Sequence, residues 1–334
     1  MLMSEFSLSV RELTESTDSG LEPPHDHVTT QHELTAGLQA RPAHISPKYL
    51  YDTLGSKLFE AICLLPEYYP TRTEATILQA QAHVIAQAIG PGCTLIDLGA
   101  GNCAKAAKLF PILAPGRYVP IDISADFLQT AIGALQQRYP HIAMTPLGQD
   151  FSQNLTLPRT LPKARRVFFY PGSSIGNFMP EHAAAFLQRL RAAGGPDTTL
   201  LLGIDLVKDP AVLQAAYDDS LGVTAAFNLN ILNNLNSFLD SNFQTADWEH
   251  VALFNAQRHR IEMHLRARRP LSVQWGNQHR HFEKDECIHT ESSYKYTRQS
   301  IAALLDQAGF QELEFWCDER NWFAVVMARP QPGR

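Results

Sequence analysis

The stretch Tyr170–Phe178, YPGSSIGNF, follows the apolar run RVFF and places two serines, two glycines and an asparagine where a buried strand should turn. The side chain of Asn177 can accept a hydrogen bond from an amine and donate one to a carboxylate. That pairing suits a free α-amino acid, although an isolated asparagine here more often closes a turn or caps the next helix. A second group lies upstream in LIDLGAGNC, where a strand ends in Asp97 and Gly99 and Gly101 form a turn into a helix. Glycines are needed where the backbone turns sharply and must approach a ligand without a Cβ in the way. The next strand ends in Asp122, suited to accept from two ribose hydroxyls, and the third in Gln149, Asp150 and Phe151, suited to an adenine edge and face. Together these residues predict a nucleoside cofactor beside a small amine.

The elements that must carry them alternate. From about residue 73 the order is helix TEATILQAQAHVIAQAI, strand TLIDLGAG, helix through AAKLF, strand YVPIDIS, helix ADFLQTAIGALQQRY, strands IAMTPLGQDF and RVFFYP, helix PEHAAAFLQRLRAA and strand TLLLGIDLV. Strands separated by helices imply crossover connections, hence an α/β fold with a doubly wound, mostly parallel sheet. Thr71 and Glu74 are spaced as a capping box, and Gly90 and Gly309 sit where helix C-termini favour a left-handed residue. Between 207 and 294 the alternation breaks. DPAVLQAAYDDSLGVTAAFNLNILNNLNSFL reads as helix, capped by Asp209 and Pro210, and RIEMHLRARR as a half-buried strand with Ile261, Met263 and Leu265 on one face. The expected organisation is a tail over 1–30, a sheet domain over 73–206 plus 295–331, and an inserted α+β substrate domain over 31–72 plus 207–294.

Bulk properties limit the partners. The 334 residues are 45% hydrophobic with a formal net charge of -6, and no basic run exceeds RARR, so a nucleic-acid backbone is not the expected partner. No apolar run approaches the roughly 18 residues of a membrane span, and the acidic, polar N-terminus does not resemble a signal peptide, which makes the cytoplasm the default address. Five cysteines without a C-x-x-C pair suit reduced thiols. The alternating His279, His281, Glu283, Asp285, Cys287 and His289 could face one way as metal ligands, but Arg280 and Lys284 among them favour an exposed polar hairpin, so no metal is expected. The acidic, histidine-flanked HDH of the tail is read in the same way. Oligomeric state is not legible, a monomer being one option.

Nicotinamide or S-adenosylmethionine would fit the glycine turn. Asp97 two residues ahead of Gly99, and a closing hairpin ELEFWCDERNWFAVVMA with one antiparallel strand, resemble class I methyltransferase sheets of the Rossmann-like type. The runs YDTLGSKLFEAICLLPEYYPTRTEATIL, GSSIGNF, DLVKDPAVLQAAYDDSLGVTAAFN with RIEMHLRA, and TESSYKY then resemble the L-histidine Nα-methyltransferases of ergothioneine biosynthesis, from about residue 45 to 330. That resemblance implies three methyl transfers from S-adenosyl-L-methionine to L-histidine, yielding hercynine and S-adenosyl-L-homocysteine. It further implies that Asn177 and Tyr217, with Tyr68, hold the amino and carboxylate groups, and that Tyr51 lies near the amine as a candidate proton acceptor. Glu291 and Ser293 would read the imidazole, with Thr224, Phe227 and Met263 shaping its pocket. The cofactor side would use Asp97, Gly99, Gly101, Lys105, Asp122, Asp150 and Phe151. TESSYKY departs from relatives that often place an aliphatic residue between the glutamate and the serine.

If 290–296 is extended, Glu291 and Ser293 share one side and can meet two ring nitrogens. Taken blindly, Glu291 and Lys295 would be a solvated face, and Tyr68 and Tyr69 core packing. The reaction expected is in-line displacement by a neutral amine, with tyrosine faces holding the methylated cation. Rival readings are a methyltransferase for another amino acid such as tryptophan, a nicotinamide-dependent oxidoreductase, and a catalytically silent adenosylmethionine-binding regulator.

Overall fold

The computed structural model describes residues 27–152 and 154–330. The chain runs α1 (His27–Gln39), β1 (Ala43–His44), α2 (Thr53–Ile62), α3 (Pro70–Ile89), β2 (Thr94–Leu98), α4 (Ala104–Ala107), α5 (Phe110–Leu113), β3 (Arg117–Asp122), α6 (Ala125–Arg138), β4 (Ala143–Met144), β5 (Leu147–Gly148) and β6 (Arg166–Tyr170). It continues through α7 (Pro180–Gly194), β7 (Thr199–Asp205), α8 (Pro210–Ala215), α9 (Val223–Leu239), β8 (Trp248–Asn255), β9 (Arg260–Ala267), β10 (Leu271–Trp275), β11 (Gln278–Phe282), β12 (Cys287–Tyr294), α10 (Arg298–Gln307), β13 (Glu312–Cys317) and β14 (Phe323–Arg329).

The larger sheet has the order β13-β14-β7-β6-β2-β3-β4, with β5 also paired to β3. β14 is antiparallel to both of its neighbours, and the other pairings are parallel. β2, β6 and β7 are buried along their whole length, because alternate side chains enter two different cores. Ile96, Phe168 and Leu200 pack with α7 and α10 on one face, while Leu95, Val167 and Leu201 pack with α3 and α5 on the other. Helices on both faces explain why these strands read as unbroken apolar runs. From β2 the chain proceeds to β3 on one side and later returns to β6 on the other, which opens a crevice at their carboxyl ends.

A smaller sheet, β1-β12-β9-β8, lies under α1, α2 and α9, with its own core around Leu34, Leu50, Ile231, Ile261 and Leu265. The two sheets meet where Tyr296, just past β12, bridges Leu206, just past β7.

Several local expectations change. Thr71 does not cap α3: the helix starts at Pro70, and Glu74 is buried facing inward instead. The segment IAMTPLGQDF splits into β4 and β5 around Pro146, which has no N–H to donate to a ladder. The long helical reading after 209 is interrupted over 216–222, ending at Gly222 with φ +73°, and this break carries Tyr217. Asp209 does cap α8, accepting from the Ala211 N–H. Residues 27–30 begin α1, whereas the rest of the expected tail, including the HDH histidine at 25, lies outside the described residues. Arg280 is buried against the carbonyls of Leu38 and Ala40, not exposed, while His279, His281, Glu283 and Asp285 do face solvent. Among the described residues no three His, Cys, Asp or Glu side chains are grouped to hold a metal ion.

Candidate functional site

The glycine turn after β2 has the backbone that its residue types anticipate. Gly99 and Gly101 hold φ +69° and +52°, and a Cβ on Gly101 would meet nothing within 4 Å, so the loop leaves open space on that side. Asp122, at the end of β3, accepts from the Gly101 N–H (2.9 Å) and the Ser124 N–H (3.0 Å), which fixes its carboxylate beside the turn. Asp150 accepts through Oδ1 from the Ser152 N–H, while its buried Oδ2 has no hydrogen-bond partner. Lys48 stands 3.9 Å from that oxygen. A buried acceptor without a donor is costly, and an exocyclic amine would satisfy it. The ring of Phe151 lies 3.8 Å from the position a Gly99 Cβ would take and packs edge-on against Tyr170. Asp122 and Phe151 stand beside the glycine turn, and with the orphan acceptor of Asp150 next to Phe151 these groups fit the nucleoside end of S-adenosylmethionine.

Two of the expected cofactor residues stand differently. Asp97 is buried, and its carboxylate accepts from the Tyr118 hydroxyl at 2.7 Å. Burial pushes its pKa up to about 7, with the Tyr118 hydrogen bond and then Lys105 opposing. It braces the base of the turn. Lys105 pairs with Glu74 at 2.8 Å, and the same glutamate accepts the Gly172 N–H at 2.7 Å. Glu74 thus ties the helix after the glycine turn to the loop after β6.

That loop is tightly placed. Gly172 and Ser173 both have left-handed backbone, and Ser174–Asn177 forms one 3-10 turn. A Cβ on Gly176 would meet the Tyr294 carbonyl oxygen at 2.6 Å, so the turn lies directly on β12. Asn177 thereby lines a cavity that opens to solvent. Its walls include Tyr51, Tyr68, Asn177, Tyr217, Thr224, Phe227, Met263, Glu291 and Ser293. These nine positions come from seven different segments, and the fold brings all of them together. Phe59, Ile62, Gly172, Ser173, Ser174 and Ala216 complete the lining.

The cavity has an aromatic half and a polar half. Tyr51 packs edge-on to Phe59 and Phe227 with centroids 5.5 and 5.4 Å away, Phe59 and Phe227 lie tilted at 6.0 Å, and Tyr68 packs edge-on to Phe59 and Tyr217. Burial raises the phenols of Tyr51 and Tyr68 well above their ordinary value, with Glu291 and neighbouring tyrosines adding to it. Both are neutral donors at physiological pH. Opposite them Glu291 is only 6% exposed. Loss of hydration pushes its carboxyl up to about 7, while Lys295 and Asn177 pull the other way.

Behind Ser293 lies a buried ionic cluster that the sequence reading missed. Lys295 donates to Ser293 Oγ (2.8 Å), to the Tyr217 hydroxyl (3.0 Å) and to Asp205 (2.9 Å). Asp205 also pairs with Lys208 at 2.5 Å and accepts from Tyr69 at 2.8 Å. Neither Lys295 nor Glu291 is a solvated face. Tyr69 is core, packed edge-on to Trp322, whereas its neighbour Tyr68 faces the cavity. Lys295 could have been found as the residue two beyond Ser293 on the same strand face, and Asp205 as the charge closing the apolar run TLLLGID.

Comparison with known proteins adds the family. The model for "Histidine-specific methyltransferase, SAM-dependent" matches residues 30–330. A histidine N-alpha-methyltransferase of Mycobacterium tuberculosis is 40% identical over 90% of this chain and 95% of its own. Another of the same name from Mycolicibacterium smegmatis is 39% identical over 89% and 93%. Ergothioneine biosynthesis protein 1 of Neurospora crassa is 31% identical over 86% of this chain but 33% of its own length.

Proposed function

Because the chain belongs to the histidine-specific, S-adenosylmethionine-dependent methyltransferase family, we propose that it methylates the α-amino group of L-histidine three times, giving Nα,Nα,Nα-trimethylhistidine for ergothioneine biosynthesis. The observation that carries this reading is one cavity whose lining brings Asn177 and Tyr217 together with Glu291 and Ser293, with Tyr217 bonded to Ser293 at 2.8 Å. An amino acid with a polar ring needs partners for both ends. A site whose buried polar groups would be left unpaired rejects leucine or phenylalanine by far more than an apolar pocket could. An indole has no use for a second ring partner, so tryptophan is disfavoured.

S-adenosylmethionine, when bound, supplies an electrophilic methyl group on its sulfonium. The crevice formed by Gly99, Gly101, Asp122, Asp150 and Phe151 would hold its nucleoside, and Asp97 and Lys105 would support the turn from below. The chain's own contribution is alignment. Asn177 would accept from the substrate amine and donate to its carboxylate, fixing the nitrogen's approach in a water-poor site. An α-amino group has a pKa of roughly 8 in peptides and higher in a free amino acid, so it must lose a proton before each round. Tyr51 was the candidate acceptor. Its raised pKa leaves it a neutral phenol, so the amine would lose its proton to solvent, and the Tyr51 oxygen would accept an amine N–H, leaving the nitrogen lone pair free to attack. After methylation the faces of Tyr51, Tyr68 and Phe227 would stabilise the cation.

The test is incubation of the protein with L-histidine and S-adenosylmethionine followed by mass spectrometry. Products heavier by one, two and three methyl groups support the reading, and unchanged histidine rules it out. Parallel incubation with tryptophan and titration with NAD separate the rival substrates and cofactor.

A further inference from the structure

The bonding inventory around Ser293 is closed on one side. Its hydroxyl oxygen accepts from Lys295 at 2.8 Å and from the Tyr217 hydroxyl at 2.8 Å. A serine hydroxyl has two acceptor lone pairs and one proton. Both lone pairs are taken, so the proton is what remains for a ligand in the cavity. Lys295 has three protons and gives them to Ser293, Tyr217 and Asp205. Its side chain is 0% exposed beside Asp205 at 1%, and the carboxylate keeps it charged and unable to accept.

Resting on the histidine reading above, we propose that Lys295 is a positioning residue that makes Ser293 a donor only, so that the cavity selects the neutral imidazole in a single tautomer and excludes imidazolium. The ring's N–H would face the Glu291 carboxylate and its bare nitrogen would face Ser293. Imidazolium carries two N–H donors. One would meet Glu291, and the other would meet a hydroxyl with no lone pair left, at the cost of an unpaired buried donor.

The other titratable groups facing this position do not alter the count. Asp205 and Lys208 lie behind Lys295 at the end of β7 and are paired with each other. Tyr217, Tyr51 and Tyr68 face it from the connection before α9 and from the opposite wall, and all three are held neutral by burial. Glu291 does titrate with its pKa pushed up to about 7, and the control below removes its effect.

The experiment compares kcat/KM for L-histidine with that for L-β-(1,2,4-triazol-3-yl)alanine between pH 5 and 7.5. The triazole keeps an N–H and a bare nitrogen but stays neutral across this range. Titration of Glu291 and of the α-amino group affects both substrates alike and cancels in the ratio. In the wild type the ratio should fall about tenfold per pH unit below the imidazole pKa of roughly 6.5. In Lys295→Met, Ser293 regains a lone pair and the ratio should flatten, while affinity for S-adenosylhomocysteine stays within about twofold. A flat ratio in the wild type, or an unchanged slope in Lys295→Met, overturns the inference. Should that variant not fold, neutron diffraction of the deuterated wild type decides. Three deuterons on Lys295 Nζ with the Ser293 deuteron directed into the cavity support it, and a Ser293 deuteron directed at Tyr217 overturns it. If the wild type methylates neither amino acid, the histidine reading itself falls and takes this inference with it.

Discussion

Glu74 and Gly172 lie 98 positions apart, and the carboxylate of the first accepts the backbone N–H of the second at 2.7 Å. The other carboxylate oxygen takes Lys105 at 2.8 Å. One buried side chain on α3 therefore sets the height of the loop that aims Asn177 and also the position of the helix following the glycine turn. On the proposed function the methyl donor and the amine would meet between those two loops. The bond explains why a charged residue sits among Ile77, Leu78 and Ile85 on the buried face of α3.

Gly203 on β7 exposes this arrangement to a simple test. A Cβ there would meet Glu74 Oε1 at 2.0 Å and the Gly172 nitrogen at 3.0 Å. Neither can give way without breaking the Glu74–Gly172 bond. Gly203→Ala should destabilise the protein by about 2–4 kcal/mol, as overpacking plus a lost buried hydrogen bond. Thermal melts read the loss, and the surviving folded fraction should show a lower kcat for histidine.

Stability should depend on pH through Glu291. Its pKa is pushed from the ordinary 4.5 up to about 7 by burial, so the folded state holds the proton more tightly than the unfolded chain does. The stabilisation is therefore fully present below pH 4.5 and is lost as pH rises through about 7. Glutamine mimics the protonated acid. Glu291→Gln should melt close to the wild type at pH 5 and at a higher temperature than the wild type at pH 8, without ligands. Equal offsets at both pH values would contradict the assignment.

The same substitution should weaken the substrate. If Glu291 accepts the ring N–H as a carboxylate, its exchange for an amide removes a charge-assisted hydrogen bond of about 1.5–3 kcal/mol. The fall in kcat/KM for histidine should be about 10- to 100-fold, while calorimetry with S-adenosylhomocysteine is unchanged.

Asn177→Ala should act differently. On the proposed reading its amide would hold the reacting end of the substrate, so truncation would free the amine from its line of approach as well as weaken its binding. Misplacement of a reacting atom by about 1 Å costs on the order of 100-fold in rate. Single-turnover rates at saturating histidine should therefore drop, whereas Glu291→Gln should be rescued in large part by saturation.

Much of this architecture was legible because it rests on local chemistry. The parallel order follows from strands alternating with helices, and the turn at Gly99 and Gly101 from residues that alone tolerate its backbone. Ile261, Met263 and Leu265 share a buried face as their period of two requires. What escaped was of longer range. Thr71 and Glu74 have the spacing of a cap, but Glu74 is claimed by Gly172 and Lys105, partners no local pattern contains. Lys295 and Asp205 are far apart in the chain, and each alone looks like a surface charge. Arg280 is buried because α1 ends above it and supplies two carbonyls. In each case a tertiary partner overrode the local preference for solvent.

The orphan oxygen of Asp150 gives the last prediction. Oδ1 is engaged by Ser152, and Oδ2 is buried without a hydrogen-bond partner, with Lys48 3.9 Å away. An adenine amino group would donate to it, whereas hypoxanthine presents a carbonyl oxygen at the same place. Two acceptors face to face repel, and each forfeits its hydrogen bond to water. S-inosylhomocysteine should therefore bind the wild type more weakly than S-adenosylhomocysteine by about 100-fold, near 3 kcal/mol. In Asp150→Asn the amide can turn its N–H₂ toward the ligand, so the preference should shrink to less than about tenfold, with the adenine compound losing and the hypoxanthine compound gaining. Calorimetry with both ligands on both proteins completes the cycle. If the wild type binds the two compounds equally, Asp150 does not read the base, and the orphan oxygen belongs to Lys48 instead.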